Sequence, residues 1–258
     1  MYNKLKCKEA YTDVRVPAGP FFVRLDGWRF HSLTEKLKLK KPFDRLLAEC
    51  MIEAVKNIFR LFNPALAYLF SDEISILFPK TNLFGLRVEK IDSILAGFTS
   101  SGLHKALTKR LPDRDVPALS LDCRIIPMKN PEEAVNYLTW RQSEAYRNCY
   151  NSYAYQALIR KAGLTPQEAA QRLKDVKLSR LMELIKRYSI DLNLSDIPRW
   201  HERGILIHWE TYKKMGYDPV RGIYVTAERR RLKVEWFLPS FIIEEGRSML
   251  RGLLRDVF

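Results

Sequence analysis

The order of apolar segments between residues 20 and 126 constrains this chain more than any other feature. Phe21-Phe-Val-Arg-Leu25 is rich in β-formers and is stopped by Asp26-Gly27, a turn dipeptide. After a lysine-rich stretch, Pro42 opens a helix whose apolar positions Leu46, Leu47, Met51, Val55, Ile58 and Leu61 keep a helical period; Asn63-Pro64 ends it. Two strands follow, Leu66-Ala-Tyr-Leu-Phe70 and Ile74-Ser-Ile-Leu-Phe78, joined through Ser71-Asp-Glu73 as a tight hairpin. A second helix is expected from about Phe84 to Arg110, and Ala118-Leu-Ser-Leu-Asp-Cys-Arg-Ile125 reads as a fourth strand. The order is β-α-β-β-α-β, the ferredoxin-like split unit of an α+β fold. In that topology the first strand ends at the sheet edge where the second turns into the third. Asp26 and the Asp72-Glu73 turn are therefore expected to meet in space.

The rest of the chain reads as additional helices followed by a C-terminal β-hairpin region. From Pro131 to about Tyr188 it is helical, with Thr165-Pro166-Gln167-Glu168 as a capped start. Strands are expected at Gly204–Trp209, Gly222–Thr226 and Leu232–Trp236. No break in composition separates this part, so 1–258 is read as one catalytic unit, with a core at 20–126 and a helical and β extension at 127–258.

Charge narrows the partners. With 44 basic and 30 acidic residues the formal net charge is +14, which favours polyanions such as nucleic acid and nucleotides. No apolar run is long enough to span a bilayer, and Met1-Tyr-Asn-Lys-Leu-Lys lacks the core of a signal peptide. A cytoplasmic protein is expected. Cys7, Cys50, Cys123 and Cys149 are widely spaced and do not pair as zinc ligands would, so reduced thiols are expected.

Carboxylates on one edge of an antiparallel sheet in a basic protein suggest Mg²⁺, which is held by one or two carboxylates plus substrate phosphates. Gly27, lacking a Cβ, would let a nucleotide or metal approach the backbone. Asp-Gly and Ser-Asp-Glu are also everyday turn sequences, and spacing alone does not separate the two readings. Lys36, Lys38, Lys40 and Lys41, alternating with Leu37 and Leu39, read either as a solvated strand or turn or as a phosphate clamp. Arg87 and Lys90, three apart on one helix face, are surface charge or triphosphate ligands. Glu228-Arg-Arg-Arg231 with Lys233, flanked by Tyr224 and Trp236, suits RNA or an exposed hairpin loop.

These residues resemble the tRNA(His) guanylyltransferases and their tRNA-repair relatives, the reverse-direction (3′-to-5′) polymerases. The resemblance is carried by Val23-Arg-Leu-Asp-Gly27, Phe30-His31, Glu35-Lys36, Lys41-Pro42 and Ser71-Asp-Glu73. It continues through Leu138-Thr-Trp-Arg-Gln142, Gly163-Leu-Thr-Pro166 and Gln171-Arg-Leu173, and covers roughly residues 4–215. It implies a polymerase-like palm at 20–126, two Mg²⁺ ions, GTP, ATP and other nucleoside triphosphates as substrates, and nucleotide addition to the 5′ end of tRNA. By position, Asp26, Asp72 and the Gly27 carbonyl would be the metal ligands, and Glu73 completes the catalytic signature. Lys41, Ser71, Arg87 and Lys90 would contact the triphosphate; His31 matches a family histidine with no role assigned. A homo-oligomer, a tetramer, is implied in the same way.

One stretch departs from the pattern. Where the tRNA(His)-specific enzymes carry His-Ile-Asn-Asn, this chain has Tyr146-Arg147-Asn148-Cys149. The departure favours template-dependent repair of truncated tRNA 5′ ends over a dedicated guanylyltransferase, which stays the alternative. A palm-type nucleotide cyclase and a catalytically silent tRNA-binding protein are the further rivals. Arg147 and Asn148, with Arg229, Arg230 and Arg231, are the expected tRNA contacts.

Overall fold

Strand β1 (Phe21–Gly27) is apolar on both sides because it has a core on each side. In the computed structural model, which describes residues 5, 8–188 and 194–258, it is flanked by β3 (Glu73–Phe78) and β4 (Leu121–Pro127). With β2 (Leu66–Phe70), β5 (Ile205–Asp218) and β6 (Ile223–Glu235) these make an antiparallel sheet in the order β4-β1-β3-β2-β5-β6. The first four strands follow the expected ferredoxin-like order, and β5 extends the sheet beyond β2. Cys7 lies outside the described residues.

Side chains alternate across the sheet. Phe21, Val23, Leu25, Ala67, Leu69, Ile74, Ile76 and Phe78 enter the core under helices Arg45–Phe62 and Val88–Arg110. Phe22, Leu66, Tyr68 and Leu77 enter the opposite core, closed by the first half of helix Pro131–Arg160 and by helix Glu244–Leu254. Ser75 also faces that second side, fully buried, and its hydroxyl is satisfied by Tyr137 Oη at 3.0 Å. A third apolar cluster joins the second half of Pro131–Arg160 to helices Pro166–Leu173 and Leu178–Tyr188. Among the described residues no helix is long and apolar enough to cross a membrane.

Several boundaries differ from the sequence reading. The first long helix begins at Arg45, not Pro42, because Asp44 caps it: Oδ1 accepts from the Leu46 amide and Oδ2 from the Lys40 amide, both at 2.7 Å. The expected helix from Phe84 starts at Val88, since Phe84, Gly85 and Leu86 take left-handed backbone conformations (φ 50°, 64° and 57°) that no α-helix continues. The fourth strand starts at Leu121. The lysine stretch is not an exposed strand: helix Phe30–Lys36 ends there, and Leu37 and Leu39 plug the core. The capping box at Thr165 and Glu168 is present as expected. The three C-terminal runs are one hairpin of two long strands, paired from Leu206–Glu235 to Asp218–Ile223. Gly204, at φ 72°, lies so close to Leu69 and Tyr68 that a Cβ there would meet the Leu69 carbonyl at 2.5 Å; this lets the chain turn into β5 beside β2.

Candidate active site

The sheet topology delivers the expected convergence. Phe70 pairs with Glu73 across a two-residue loop of Ser71 (φ 52°) and Asp72, and Leu25 pairs with Ile74. Asp26, one residue beyond that pair, thus stands next to the hairpin turn. Asp26, Ser71, Asp72 and Glu73 line one polar cavity of about 330 Å³ with Arg141, Asn148, Asn151 and Ser152.

Asp72 is the perturbed group. Burial, and next the charge of Asp26, push its carboxyl up to about 6, against smaller stabilising hydrogen bonds from its own amide and Ser71. Neither aspartate has an ion-pair partner among the described residues. Two repelling carboxylates, both partly buried, fit a hard divalent cation. Among the described residues no three His, Cys, Asp or Glu side chains converge to hold a metal, so an ion here would complete its shell with water and nucleotide oxygens.

Glu73 does something else. Its carboxylate accepts two hydrogen bonds from Arg141, from Nε at 2.8 Å and Nη2 at 2.6 Å, with both side chains largely buried. The Arg141 guanidinium also stacks on Trp140 at 4.4 Å. Glu73 therefore lines the cavity as the partner of Arg141, an ion pair that the sequence reading of Glu73 as part of the catalytic signature did not include. Arg141 was missed as a site residue; its only sequence trace is its place in Leu138-Thr-Trp-Arg-Gln142.

A second, less polar cavity of about 250 Å³ adjoins the first across Phe43, Ser71, Asp72 and Ser152. Lys40 and Lys41 line it; Lys41 donates to Thr34 Oγ1 at 2.6 Å, and burial lowers the pKa of its ammonium more than Glu35 raises it. Lys36 instead pairs with Asp115. The missing Cβ of Gly27 does not make room for a ligand: the Phe30 ring occupies that space, where a Cβ would meet it at 2.3 Å. Arg87 and Lys90 line neither cavity. Chain direction sets them at the other end of the sheet, because β3 runs away from the carboxylates and the helix that carries them begins beyond its far end. Arg87 is paired with Glu89.

The expected RNA contacts are also redistributed. Asn148 lines the carboxylate cavity, whereas Arg147 is exposed and reaches the Val176 carbonyl at 3.4 Å. The arginine run is mid-strand in β6 rather than in a loop, so alternation sends Arg230 to one face and Arg229 and Arg231 to the other. Arg230 stacks on Trp209 at 4.8 Å; Arg231 pairs with Glu210 at 2.6 Å and stacks on Tyr212.

His201, buried beside Phe43 and Trp200, bonds through Nδ1 to Tyr153 Oη at 2.8 Å, and burial pushes its pKa down to about 4. Unfolding restores a value near 6.5, so between these values the unfolded chain binds the extra proton and stability falls as pH falls. From the value of about 4, acidification from pH 7 to 5 should cost about 2 kcal/mol through this residue. Urea titrations at both pH values should show His201→Asn losing less stability than the parent; an equal loss would refute the assignment.

An antiparallel sheet of this order, with two aspartates where a strand end meets a hairpin turn, is the layout of a palm-type enzyme acting on nucleotides. Residues 2–129 match the family model described as tRNAHis guanylyltransferase, and residues 132–235 match the Thg1 C-terminal domain. The chain belongs to the tRNAHis guanylyltransferase family. It is 29% identical over 212 residues to the tRNA(His) guanylyltransferase of Candida glabrata, covering 80% of this chain and 89% of that one. The crystal structure of the Saccharomyces cerevisiae enzyme superposes with a TM-score of 0.70 at 25% identity, covering 81% and 93%. A bacterial tRNA(His) guanylyltransferase-like protein in complex with ATP gives 0.70 at 27% identity, and one in complex with GTP gives 0.67 at 25%, each covering 98% of both chains.

Proposed function

We propose that this enzyme transfers a nucleotide to the 5′ end of tRNA, with guanylyl addition to tRNA(His) as the reaction its named relatives support. The observation that carries this reading is the convergence of Asp26 and partly buried Asp72 on a polar cavity that adjoins a second, lysine-lined one. Asp26, Asp72 and the Gly27 carbonyl would hold Mg²⁺, which lowers the pKa of an attacking hydroxyl and stabilises departing phosphates. The chain itself does the positioning. Lys41 and the Ser71 hydroxyl, which line the second cavity, would hold phosphate oxygens, and Phe43, Met51 and Trp200 would give an apolar wall for a base. Arg141 clamps Glu73 at the cavity edge and offsets its charge beside the two aspartates. Arg87 and Lys90 line neither of these two cavities.

Template-dependent repair of truncated tRNAs is the second reading. It is favoured by Tyr146-Arg147-Asn148-Cys149 and by the end-to-end likeness to the bacterial guanylyltransferase-like proteins. One assay tests both: Mg²⁺ and all four nucleotides with intact tRNA(His), with and without its anticodon, beside two tRNAs lacking the first 5′ nucleotide and differing in template base. Anticodon-dependent G addition is the expected result. Addition of each complementary base to both truncated tRNAs, without regard to anticodon, would establish repair instead. No addition to any tRNA would overturn both.

A further inference from the structure

The segment Gly163-Leu-Thr-Pro166 to Gln171-Arg-Leu173 takes no part in the chemistry above, yet it builds one wall of a groove of about 820 Å³ beside the active site. Helix Pro166–Leu173 buries Ala169 and Leu173 and presents Gln167 and Gln171, four apart, to the groove. Asn151 and Gln156 of helix Pro131–Arg160 face them. None of these four amides makes a hydrogen bond within the described residues. No carboxylate lines the groove, and Lys41 and Lys174 make it positive.

Free amides each offer donors and an acceptor. They suit a ligand that does the same, such as ribose hydroxyls and base edges, where a site for phosphate alone would be built of cations. The three cavities are joined: Ser152 borders all of them, Asn151 links the groove to the carboxylates, and Lys41 links it to the apolar cavity. With the nucleotide base in the apolar cavity and phosphates at Asp26 and Asp72, the groove is an approach to the reacting atoms that the nucleotide leaves open. We propose that it receives the 5′-terminal nucleotides of the RNA acceptor stem, a reading that rests on the proposed tRNA 5′-end activity.

The test uses the full chain and an acceptor-stem RNA hairpin carrying 4-thiouridine at its 5′ end. Photo-crosslinks should map to residues 151–174. Gln171→Glu, an exposed change compatible with the helix, places a negative charge against the RNA and should weaken its affinity about ten-fold. ATP affinity, measured directly, should change less than about two-fold. Gln167→Glu should behave in the same way. RNA that binds the parent but crosslinks elsewhere would overturn the groove assignment alone. Weakened ATP binding with unchanged RNA binding would give the groove to a second nucleotide and also overturn it. A parent chain that binds ATP but no RNA would overturn the tRNA reading itself.

Discussion

Replacing Asp72 or Asp26 with alanine should abolish nucleotide addition while leaving tRNA affinity nearly unchanged. Loss of a ligand removes several kcal/mol of charge stabilisation, a fall of about 10³-fold or more in rate. Affinity for tRNA comes mainly from Lys and Arg contacts to phosphates elsewhere, so a binding isotherm at fixed salt should not move. Asp72→Asn sharpens the test. It keeps the shape of a partly buried side chain whose charge is disfavoured by its surroundings and by Asp26. The variant should be as stable as the parent or more so, and equally inactive. Either aspartate variant retaining activity at saturating Mg²⁺ and nucleotide would exclude the metal-site assignment.

The second large effect concerns stability. Arg141→Ala strands the Glu73 carboxylate, largely buried, without the two hydrogen bonds that satisfy it. Breaking a buried pair in this way costs about 3–5 kcal/mol, far more than the pair itself contributes relative to apolar substitutes. Glu73→Gln with Arg141→Met should therefore be more stable than Arg141→Ala alone. Denaturant unfolding of the parent, Arg141→Met, Glu73→Gln and the double variant measures the coupling; additive losses would show that the two side chains do not act as a pair. Without Arg141 the Glu73 charge beside Asp72 would also lose its counter-ion, so Arg141→Ala should lose activity even where it remains folded.

The division between what was legible and what was not follows the range of the interactions involved. Local patterns determined the element order: apolar runs ended by Asp26-Gly27 and Ser71-Asp72, and the capping box at Thr165 and Glu168. Once that order is known, strand topology alone brings Asp26 to Asp72, because only one arrangement of a split β-α-β unit satisfies it. The chain between 205 and 235 was divisible into three strands on pattern, since an exposed ribbon has no buried face to impose a continuous alternation. Only tertiary packing decided that Gly27 makes room for Phe30, that Arg141 neutralises Glu73, and that the arginine run splits across two faces of β6. It alone placed Arg87 and Lys90 away from the carboxylates and gathered four amides from two helices into a groove. Those outcomes depend on residues tens of positions apart, and no spacing within a segment encodes which distant side chain will fill a space or satisfy a charge.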